Sequence, residues 1–242
     1  MKAIEIEGLV KSYNNSENPV LNNLSLVINS GERFGLFGSN GAGKTTLISI
    51  ISGILKYNEG SVKVFGEEIS TKWSDLKSRI GIVPQEYAFY TQLTAIENLT
   101  FFGKMYKIDS EVLKTRIEEL VEDFGMQDYA HKRSMEYSGG MKRKLNLALG
   151  VLHNPDLLIL DEPTVGVDVK SKTHINQYLK DLNEKKNTTF LYTSHMMDEA
   201  QQLCSHIGIL KDGQISESMD TESFLKKHKE SNMENVMMSI LD

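Results

Sequence analysis

The chain carries two kinds of short hydrophobic segment, and together they predict its fold class. In the first kind apolar and polar residues alternate, which is typical of antiparallel strands with one face in solvent; these segments are 4–13, 24–28 and 61–65. In the second kind nearly every residue is apolar, which is typical of strands covered on both faces; these are 33–37, 157–160, 189–193 and 207–210. The pattern predicts an α/β protein with an antiparallel β layer and a buried parallel sheet.

Residues 110–125 predict an amphipathic helix, with Ser110 as its cap and Gly125 as its stop. The apolar residues that share one face at helical spacing are Leu113, Ile117, Leu120, Val121 and Phe124. A second helix is predicted over residues 45–55. Residues 211–214 predict a hairpin turn that closes the sheet.

Helical character runs from about residue 95 to residue 151, and this predicts how the chain is organised. We expect one domain in which a helical lobe, residues 86–150, is inserted into a core lobe. The core lobe is formed by 1–85 and 151–215, the lobes meet near Gln85, and a tail follows over 216–242. Residues 233–241 have helical spacing in that tail, which is typical of an amphipathic cap on the chain's own domain.

Charge and composition limit which binding partners and cellular locations are expected for the chain. Twenty-seven basic against 33 acidic residues give a net charge of −6, so we expect no nucleic acid as a partner. The longest uncharged stretch, 18–31, is short and interrupted by polar residues, and residues 1–7 lack a secretory pattern, so we expect neither a membrane span nor export of this chain. The single cysteine, Cys204, is expected to be a small buried apolar residue in a reducing compartment.

A glycine-rich segment after the apolar strand 33–37 matches the pattern G-x-x-x-x-G-K-[ST] of a P-loop. It consists of Gly38, Ser39, Asn40, Gly41, Ala42, Gly43, Lys44 and Thr45. Glycines let backbone N–H groups turn toward an anion at a helix N-terminus, where the helix dipole favours negative charge. We expect Lys44 to reach the β- and γ-phosphates of a nucleoside triphosphate, and the Thr45 hydroxyl to bind Mg²⁺.

Two carboxylates follow the apolar strand 157–160, at the sheet edge where α/β proteins bind ligands. Because successive side chains of a strand point in opposite directions, Asp161 and Glu162 are expected to have different roles. We expect Asp161 to hold Mg²⁺ through water, and Glu162 to act as the general base on the attacking water.

Ser138, Gly139 and Gly140 precede another apolar helix and form a candidate second anion site. Since one P-loop already grips the phosphates from one side, a second site makes most sense if it covers the nucleotide of another copy. This predicts a dimer with ATP between its subunits. A serine that merely caps its own helix is the alternative.

With these motifs the chain, from its start to about residue 215, resembles the ATP-binding-cassette family. The matching motifs, in order, are the Walker A loop at 38–45, the Q-loop at Gln85, the signature at 138–140, Walker B at Asp161 and Glu162, the D-loop at Asp168 and the switch histidine at His195. The resemblance implies a P-loop NTPase (RecA-like) core that binds and hydrolyses ATP with Mg²⁺.

The resemblance also implies residue roles. Tyr13 is placed like the family's adenine-stacking aromatic, and Thr46 belongs to the phosphate-binding set. Gln85 offers its amide oxygen to Mg²⁺ or to the attacking water. Thr45 and Asp161 complete the set of residues implied to hold Mg²⁺. His195 donates to the γ-phosphate, and Asp168 organises the dimer contact.

The sequence departs from the family pattern at three positions. Tyr137 and Met141 flank Ser138–Gly140 where Leu and Gln are commonest, which puts the fine phosphate contact and the turnover rate in question, and Val167 replaces a Leu in the D-loop. The basic residues 142–144 predict a solvated helix face rather than a contact with lipid or nucleotide.

What the ATPase drives follows only from the resemblance. Residues 93–99 and 138–143 look like cassettes of the ABC-2 type, which implies a separate integral membrane permease subunit and export of drugs, lipids, peptides or polysaccharides. The chain would then lie on the cytoplasmic face of the membrane. Aromatic residues over 87–102 either fill the helical lobe's own core or form a groove for a partner helix. The alternatives are a non-transport cassette in DNA repair or translation, and a GTPase or small-molecule kinase.

Overall fold

The structure is a computed structural model that describes residues 1–13, 18–194, 197–229 and 232–236. The strands are β1 (Lys2–Lys11), β2 (Leu21–Asn29), β3 (Arg33–Phe37), β4 (Glu59–Val64), β5 (Glu67–Glu68), β6 (Ile80–Val83), β7 (Leu157–Asp161), β8 (Thr189–Thr193), β9 (His206–Lys211) and β10 (Gln214–Asp220). The helices are α1 (Lys44–Ile51), α2 (Ile69–Leu76), α3 (Ala95–Met105), α4 (Ser110–Asp123), α5 (Gly139–Val151), α6 (Val169–Lys186), α7 (Met197–Leu203) and α8 (Thr221–His228), with a 3-10 helix at Ser134–Glu136.

The chain forms two compact units. Unit 1 comprises Met1–Lys77 with Asn187–Asp242, and unit 2 comprises Ser78–Lys186. The α/β class is confirmed, because both units combine strands with helices. The division into a core lobe, a helical lobe and a tail stays a prediction, and its boundaries differ from those of the two units.

Unit 1 contains the predicted antiparallel layer, in the strand order β2-β1-β4-β5. Ile4 of β1 lies opposite Ile28 of β2 and Val64 of β4, and all three side chains are fully buried. The alternating sequence pattern is therefore confirmed as one buried and one solvated face.

Unit 1 also contains three strands of the second kind, in the order β9-β3-β8, and the half-exposed strand β10 pairs antiparallel with β9. Strand β3 runs parallel to both β8 and β9, with Phe34 opposite Leu191 and His206. The predicted hairpin joins β9 to β10 through Asp212 and Gly213, both at positive φ. A buried, continuous apolar pattern thus marks the parallel strands, as predicted.

In unit 2 the strands β6 and β7 pair in parallel, with Ile80 opposite Leu157. Helices α3, α4 and α5 occupy the stretch where helical character was predicted. Helix α3 begins with a capping box, in which the Thr94 hydroxyl accepts from the Glu97 N–H and the Glu97 carboxylate accepts from the Thr94 N–H. Across the parts of the chain that the structure describes, no helix combines the length and the apolar character needed to cross a bilayer.

Two helix ends differ from the sequence prediction. The cap of α4 is Asp109 rather than Ser110, because the Asp109 carboxylate accepts from the backbone N–H groups of Glu111 and Val112 and its charge suits the helix N-terminus. Gly125, at φ 58°, is confirmed as the stop of α4. Helix α1 ends at Ile51 instead of residue 55, because Gly53 takes a left-handed conformation against the Trp73 ring.

In the last part of the chain the predicted burial of Cys204 is confirmed, whereas the reducing compartment expected for it stays a prediction. Cys204 is buried, and burial raises the pKa of its thiol to about 12, so it is an inert apolar residue. Met233 and Val236 are fully buried, and the Met233 N–H donates to Gln201 Oε1 within unit 1. Residues 237–241 of the predicted tail helix lie outside the described residues.

The burial of His153 leads to a prediction of how the stability of unit 2 depends on pH. Its ring stacks on Tyr106 with the centroids 3.9 Å apart, and Nε2 lies 3.1 Å from the Ile80 carbonyl oxygen. Burial lowers the pKa of His153 to about 4. Because the unfolded chain binds this proton at a higher pH than the folded chain does, the free energy of unfolding should fall by about 2 kcal/mol between pH 7 and pH 5 through this residue.

Urea unfolding at the two pH values measures this effect. His153→Gln should show a pH dependence that is weaker by that amount, since the amide does not titrate. The exposed His131 supplies the control, and His131→Gln should behave like the wild type. An unchanged pH dependence in His153→Gln would contradict the prediction.

Candidate functional site

The predicted P-loop connects β3 to α1 in unit 1. Gly43, at φ 107°, forms the N-cap of α1, and a Cβ there would lie 2.7 Å from Leu21 Cδ2. A Cβ at Gly38 would lie 2.3 Å from the Leu210 carbonyl oxygen. Both positions therefore require glycine, one for its backbone conformation and both for lack of space.

Lys44 folds back over this loop. Its Nζ donates to the carbonyl oxygens of Gly38 (2.7 Å) and Ser39 (3.0 Å). The ammonium group is thus held at the loop by two neutral acceptors, which are weaker partners than a phosphate oxygen. Thr45 is exposed at the start of α1, as a hydroxyl that binds a ligand must be.

Tyr13 lies beside the first turn of α1. Its hydroxyl and Thr46 Oγ1 share a hydrogen bond of 3.2 Å, and the residue is 46% exposed. Lys11 Nζ lies 5.4 Å from the centroid of the Tyr13 ring. The structure therefore places Tyr13 and Thr46 together, next to the loop, with much of the tyrosine accessible.

Unit 2 brings Gln85 and Glu162 together. Gln85 follows β6, Glu162 follows β7, and Gln85 Nε2 donates to Glu162 Oε2 at 3.0 Å. Because β6 and β7 are parallel neighbours, residues just beyond their carboxyl ends meet at one edge. Asp161 is the last residue of β7 and precedes Glu162 directly.

The backbone of Glu162 is strained. Its φ of 49° lies in the left-handed region, which costs a residue with a side chain about 1–3 kcal/mol. Such strain is concentrated at active sites, where surrounding structure holds a residue in an unfavourable conformation. This supports a functional role for the direction in which Glu162 points.

The Ser138 turn begins α5, and Gly139 and Gly140 form the first helical turn. The Ser138 hydroxyl accepts from the Met141 N–H at 3.3 Å, so it caps its own helix. A Cβ at Gly139 would lie 3.2 Å from the Gly166 carbonyl oxygen, and one at Gly140 would lie 3.4 Å from Asp168 Oδ2. The signature and the D-loop of one chain therefore lie against each other.

Asp168 also has a local structural role. Its Oδ1 accepts from the Ser171 N–H at 3.0 Å at the start of α6, and this backbone hydrogen bond lowers the pKa of the Asp168 carboxyl. Tyr137, the unusual residue before the signature, is buried, and its hydroxyl donates to the Tyr129 carbonyl oxygen at 2.8 Å. The tyrosine thus fills an interior position of unit 2 and leaves the three signature residues in place.

Sequence reasoning missed Arg143. A solvated helix face was predicted for residues 142–144, but Arg143 is 3% exposed and only its neighbours are accessible. Its guanidinium donates to the carbonyl oxygens of Pro84 and Gln85, beside the predicted Q-loop. The one available signal was its spacing: on α5 it shares the buried face with Leu147 and Gly150.

One predicted site residue, His195, lies outside the described residues. None of the aromatic residues over 87–102 is buried: Tyr87, Tyr90 and Phe101 are exposed, and Phe89 and Phe102 are half-buried. The expected filling of a lobe core by these rings is therefore not seen. Tyr90 and Phe101 are 52% and 40% exposed, with their rings in an edge-to-face contact at 5.1 Å.

The P-loop lies between a buried strand and a helix, and a second buried apolar strand, β7, is followed by the strained carboxylate of Glu162. In an α/β protein these features define the class of P-loop nucleotide-binding proteins. A family model described as "ABC transporter" matches residues 21–165. The chain belongs to the ABC transporter family, and within it the chain is an ATP-binding ATPase cassette.

Two relatives and one solved structure show the extent of the similarity. The chain is 43% identical to the linearmycin resistance ATP-binding protein LnrL of Bacillus subtilis (strain 168), over 88% of this chain and 67% of that protein. It is 33% identical to the bacitracin transport ATP-binding protein BcrA of Bacillus licheniformis, over 93% and 72%. A dimeric post-hydrolysis structure of an ATP-binding cassette bound to ADP and Pi matches with a TM-score of 0.82 and 26% identity, over 90% and 98%.

Proposed function

We propose that this cassette hydrolyses ATP with Glu162 as the general base. The observation that carries the proposal is the hydrogen bond from Gln85 to Glu162, which orients a carboxylate whose backbone is already held in a strained conformation. A general base needs a fixed direction toward the water that it deprotonates. Lys44 supplies the positive charge for the β- and γ-phosphates when it exchanges its two carbonyl partners for phosphate oxygens.

Three side chains are proposed to hold Mg²⁺: Thr45, Gln85 and Asp161. Each offers an oxygen, the ligand that Mg²⁺ prefers, and Gln85 keeps its amide oxygen for this purpose because its Nε2 is the atom that donates to Glu162. The ion would neutralise charge on the phosphates. The remaining phosphate-binding groups are Ser39, Asn40, Gly41, Ala42 and Thr46, with Gly38 and Gly43 shaping the loop.

Tyr13 is proposed to stack on the adenine ring. Its hydrogen bond to Thr46 fixes the aromatic ring beside the start of α1, where the phosphates would bind. Stacking on an aromatic side chain contributes about 1–3 kcal/mol per base. His195 is proposed to donate to the γ-phosphate.

We further propose that two copies, or this chain and a second cassette, dimerise around two ATP molecules. Ser138, Gly139 and Gly140 of one subunit would contact the ATP held by the other, and Asp168 would lie at the dimer contact. The dimeric cassette structure with 26% identity supports this arrangement. The packing of Gly140 beside Asp168 supports it too, because one surface then presents both motifs.

The cassette is proposed to drive a separate integral membrane permease from the cytoplasmic face of the membrane, in export. The relative named for bacitracin transport supports an exported drug or peptide as the cargo class. Tyr90 and Phe101 are the proposed contact for the permease, because exposed neighbouring aromatic rings are enriched at protein interfaces.

Affinity purification of the tagged chain from its own solubilised membranes tests the partner. An integral membrane protein should be recovered with the wild type, and Phe101→Ser should reduce its recovery roughly ten-fold, as loss of a central interface aromatic does. Val112→Ser, which changes an exposed apolar residue on α4, should leave recovery unchanged. Recovery of ribosomes or DNA instead of a membrane protein would overturn the transport proposal.

A further inference from the structure

Arg143 binds the backbone of the segment that carries Gln85. Its Nη1 donates to the Pro84 carbonyl oxygen at 3.2 Å, and its Nη2 donates to the Gln85 carbonyl oxygen at 3.0 Å. The guanidinium carbon also lies 5.1 Å from the centroid of the Tyr87 ring. One planar, forked side chain therefore contacts three successive parts of this segment, which a lysine cannot do.

Two further residues attach the same segment to α5. Asn146 Nδ2 donates to the Pro84 carbonyl oxygen at 3.0 Å, and Asn146 Oδ1 accepts from the Ala88 N–H at 3.2 Å. The Tyr87 hydroxyl donates to the Gly139 carbonyl oxygen at 3.3 Å. Residues 84–88 are thus bonded along two turns of α5, starting from the Ser138 turn itself.

The burial of Arg143 is unfavourable on stability grounds alone. Its Nε is buried and has no hydrogen-bond partner among the described residues. Burial also lowers the pKa of Arg143, whereas Tyr87, Glu162 and Asp161 oppose that shift. An apolar side chain would avoid both penalties, so the arginine requires an explanation other than packing.

We propose that Arg143 is a positioning residue for ATP hydrolysis, which acts by fixing the backbone from which Gln85 reaches Glu162. This inference rests on the proposed function, in which Glu162 is the base. It also gives α5 a mechanical role: a shift of the Ser138 turn moves Arg143, and Arg143 moves the backbone of Gln85. Contact between the signature and ATP would thereby control whether Gln85 orients the base.

Steady-state ATPase kinetics of Arg143→Met test the proposal. Methionine keeps a long unbranched chain in the interior but removes both donors, so kcat should fall about ten-fold or more, the effect of losing charge-assisted hydrogen bonds. The KM for ATP should stay within about two-fold, because no contact with bound ATP is removed. Lys144→Met, which removes the same charge one residue further along α5 from an accessible side chain, should leave both constants unchanged.

A double variant separates positioning from simple loss of structure. If Arg143 acts through Gln85, the kcat of Arg143→Met combined with Gln85→Ala should equal that of Gln85→Ala alone. A disturbed fold would instead lower kcat further. Arg143→Lys retains the charge and one donor direction, so it should restore part of the lost kcat. This variant also tests the proposal if Arg143→Met does not fold. Thermal unfolding of each variant shows whether it is folded.

The outcomes are distinguishable. If Gln85→Ala is slow while Arg143→Met and Arg143→Lys both turn over at the wild-type rate, the inference is wrong and the proposed function stands. Additive losses in the double variant also overturn it. If neither Gln85→Ala nor Glu162→Gln slows hydrolysis, the proposed function fails, and the inference fails with it.

Discussion

Glu162→Gln is expected to lower kcat for ATP hydrolysis by roughly 10²- to 10⁴-fold while ATP still binds, because the amide cannot take a proton from water. The geometry should survive the change. Glutamine keeps an oxygen at the position that accepts from Gln85 Nε2, and it tolerates the positive φ of residue 162 no worse than glutamate does. Single-turnover hydrolysis and size-exclusion chromatography with ATP measure the two consequences, slow cleavage and an accumulated ATP-bound dimer.

Glu118→Gln is the matched control, since it removes the same charge from an exposed position on α4 in the same unit. It should hydrolyse ATP like the wild type. Wild-type turnover by Glu162→Gln would show that another group is the base. If Glu162→Gln hydrolyses ATP slowly but remains monomeric with ATP, the assignment of Glu162 as the base stands and the proposed ATP-bound dimer is refuted.

Lys44→Ala is expected to weaken ATP binding by about 10- to 100-fold or more, the range for a lost charge-assisted contact. Alanine is a strong helix former at the first position of α1, so the helix itself should persist. Isothermal titration calorimetry with ATP and with adenosine is the measurement. Adenosine affinity should be unchanged, because the proposed contact of the lysine is with the phosphates and not with the base.

Lys56→Ala, at an exposed position beyond α1, should bind both ligands like the wild type. This control excludes a general effect of net charge on the affinity for an anion. Equal losses for ATP and adenosine would point to a damaged loop rather than a lost phosphate contact. Full ATP affinity in Lys44→Ala would contradict the assignment of the P-loop lysine.

The P-loop and the strand types could be read from the sequence because their signals are local. Gly38 to Thr45 are contiguous, so spacing alone specifies the loop, and the glycines at 38 and 43 prove to be required by space. Apolar and polar residues alternate along β1, which indicates that one face of the strand is covered. The continuous apolar run of β8 indicates that both faces are covered. Helix ends were less predictable, since Asp109 and Ser110 are both good caps and backbone geometry chose between them.

The site in unit 2 depended more on the tertiary structure. Gln85 and Glu162 each looked functional from their positions after a strand, but their hydrogen bond joins residues 77 apart in sequence. Ser138 was expected at a phosphate contact and is seen capping its own helix, which is compatible with both roles considered for it. Arg143 was misassigned, because a basic run on a helix is usually solvated and only the packing of residues 84–88 against α5 buries it.

The amino-acid sequence by itself determined the α/β class, the position of the P-loop motif and the two carboxylates that follow β7, since these follow from periodicity and from residues adjacent in the chain. Only the tertiary structure decided which side chains meet: Gln85 with Glu162, and Arg143 with the carbonyl oxygens of Pro84 and Gln85. The physical reason is that such contacts depend on strand register and helix placement, which bring together residues whose separation along the chain carries no local signal.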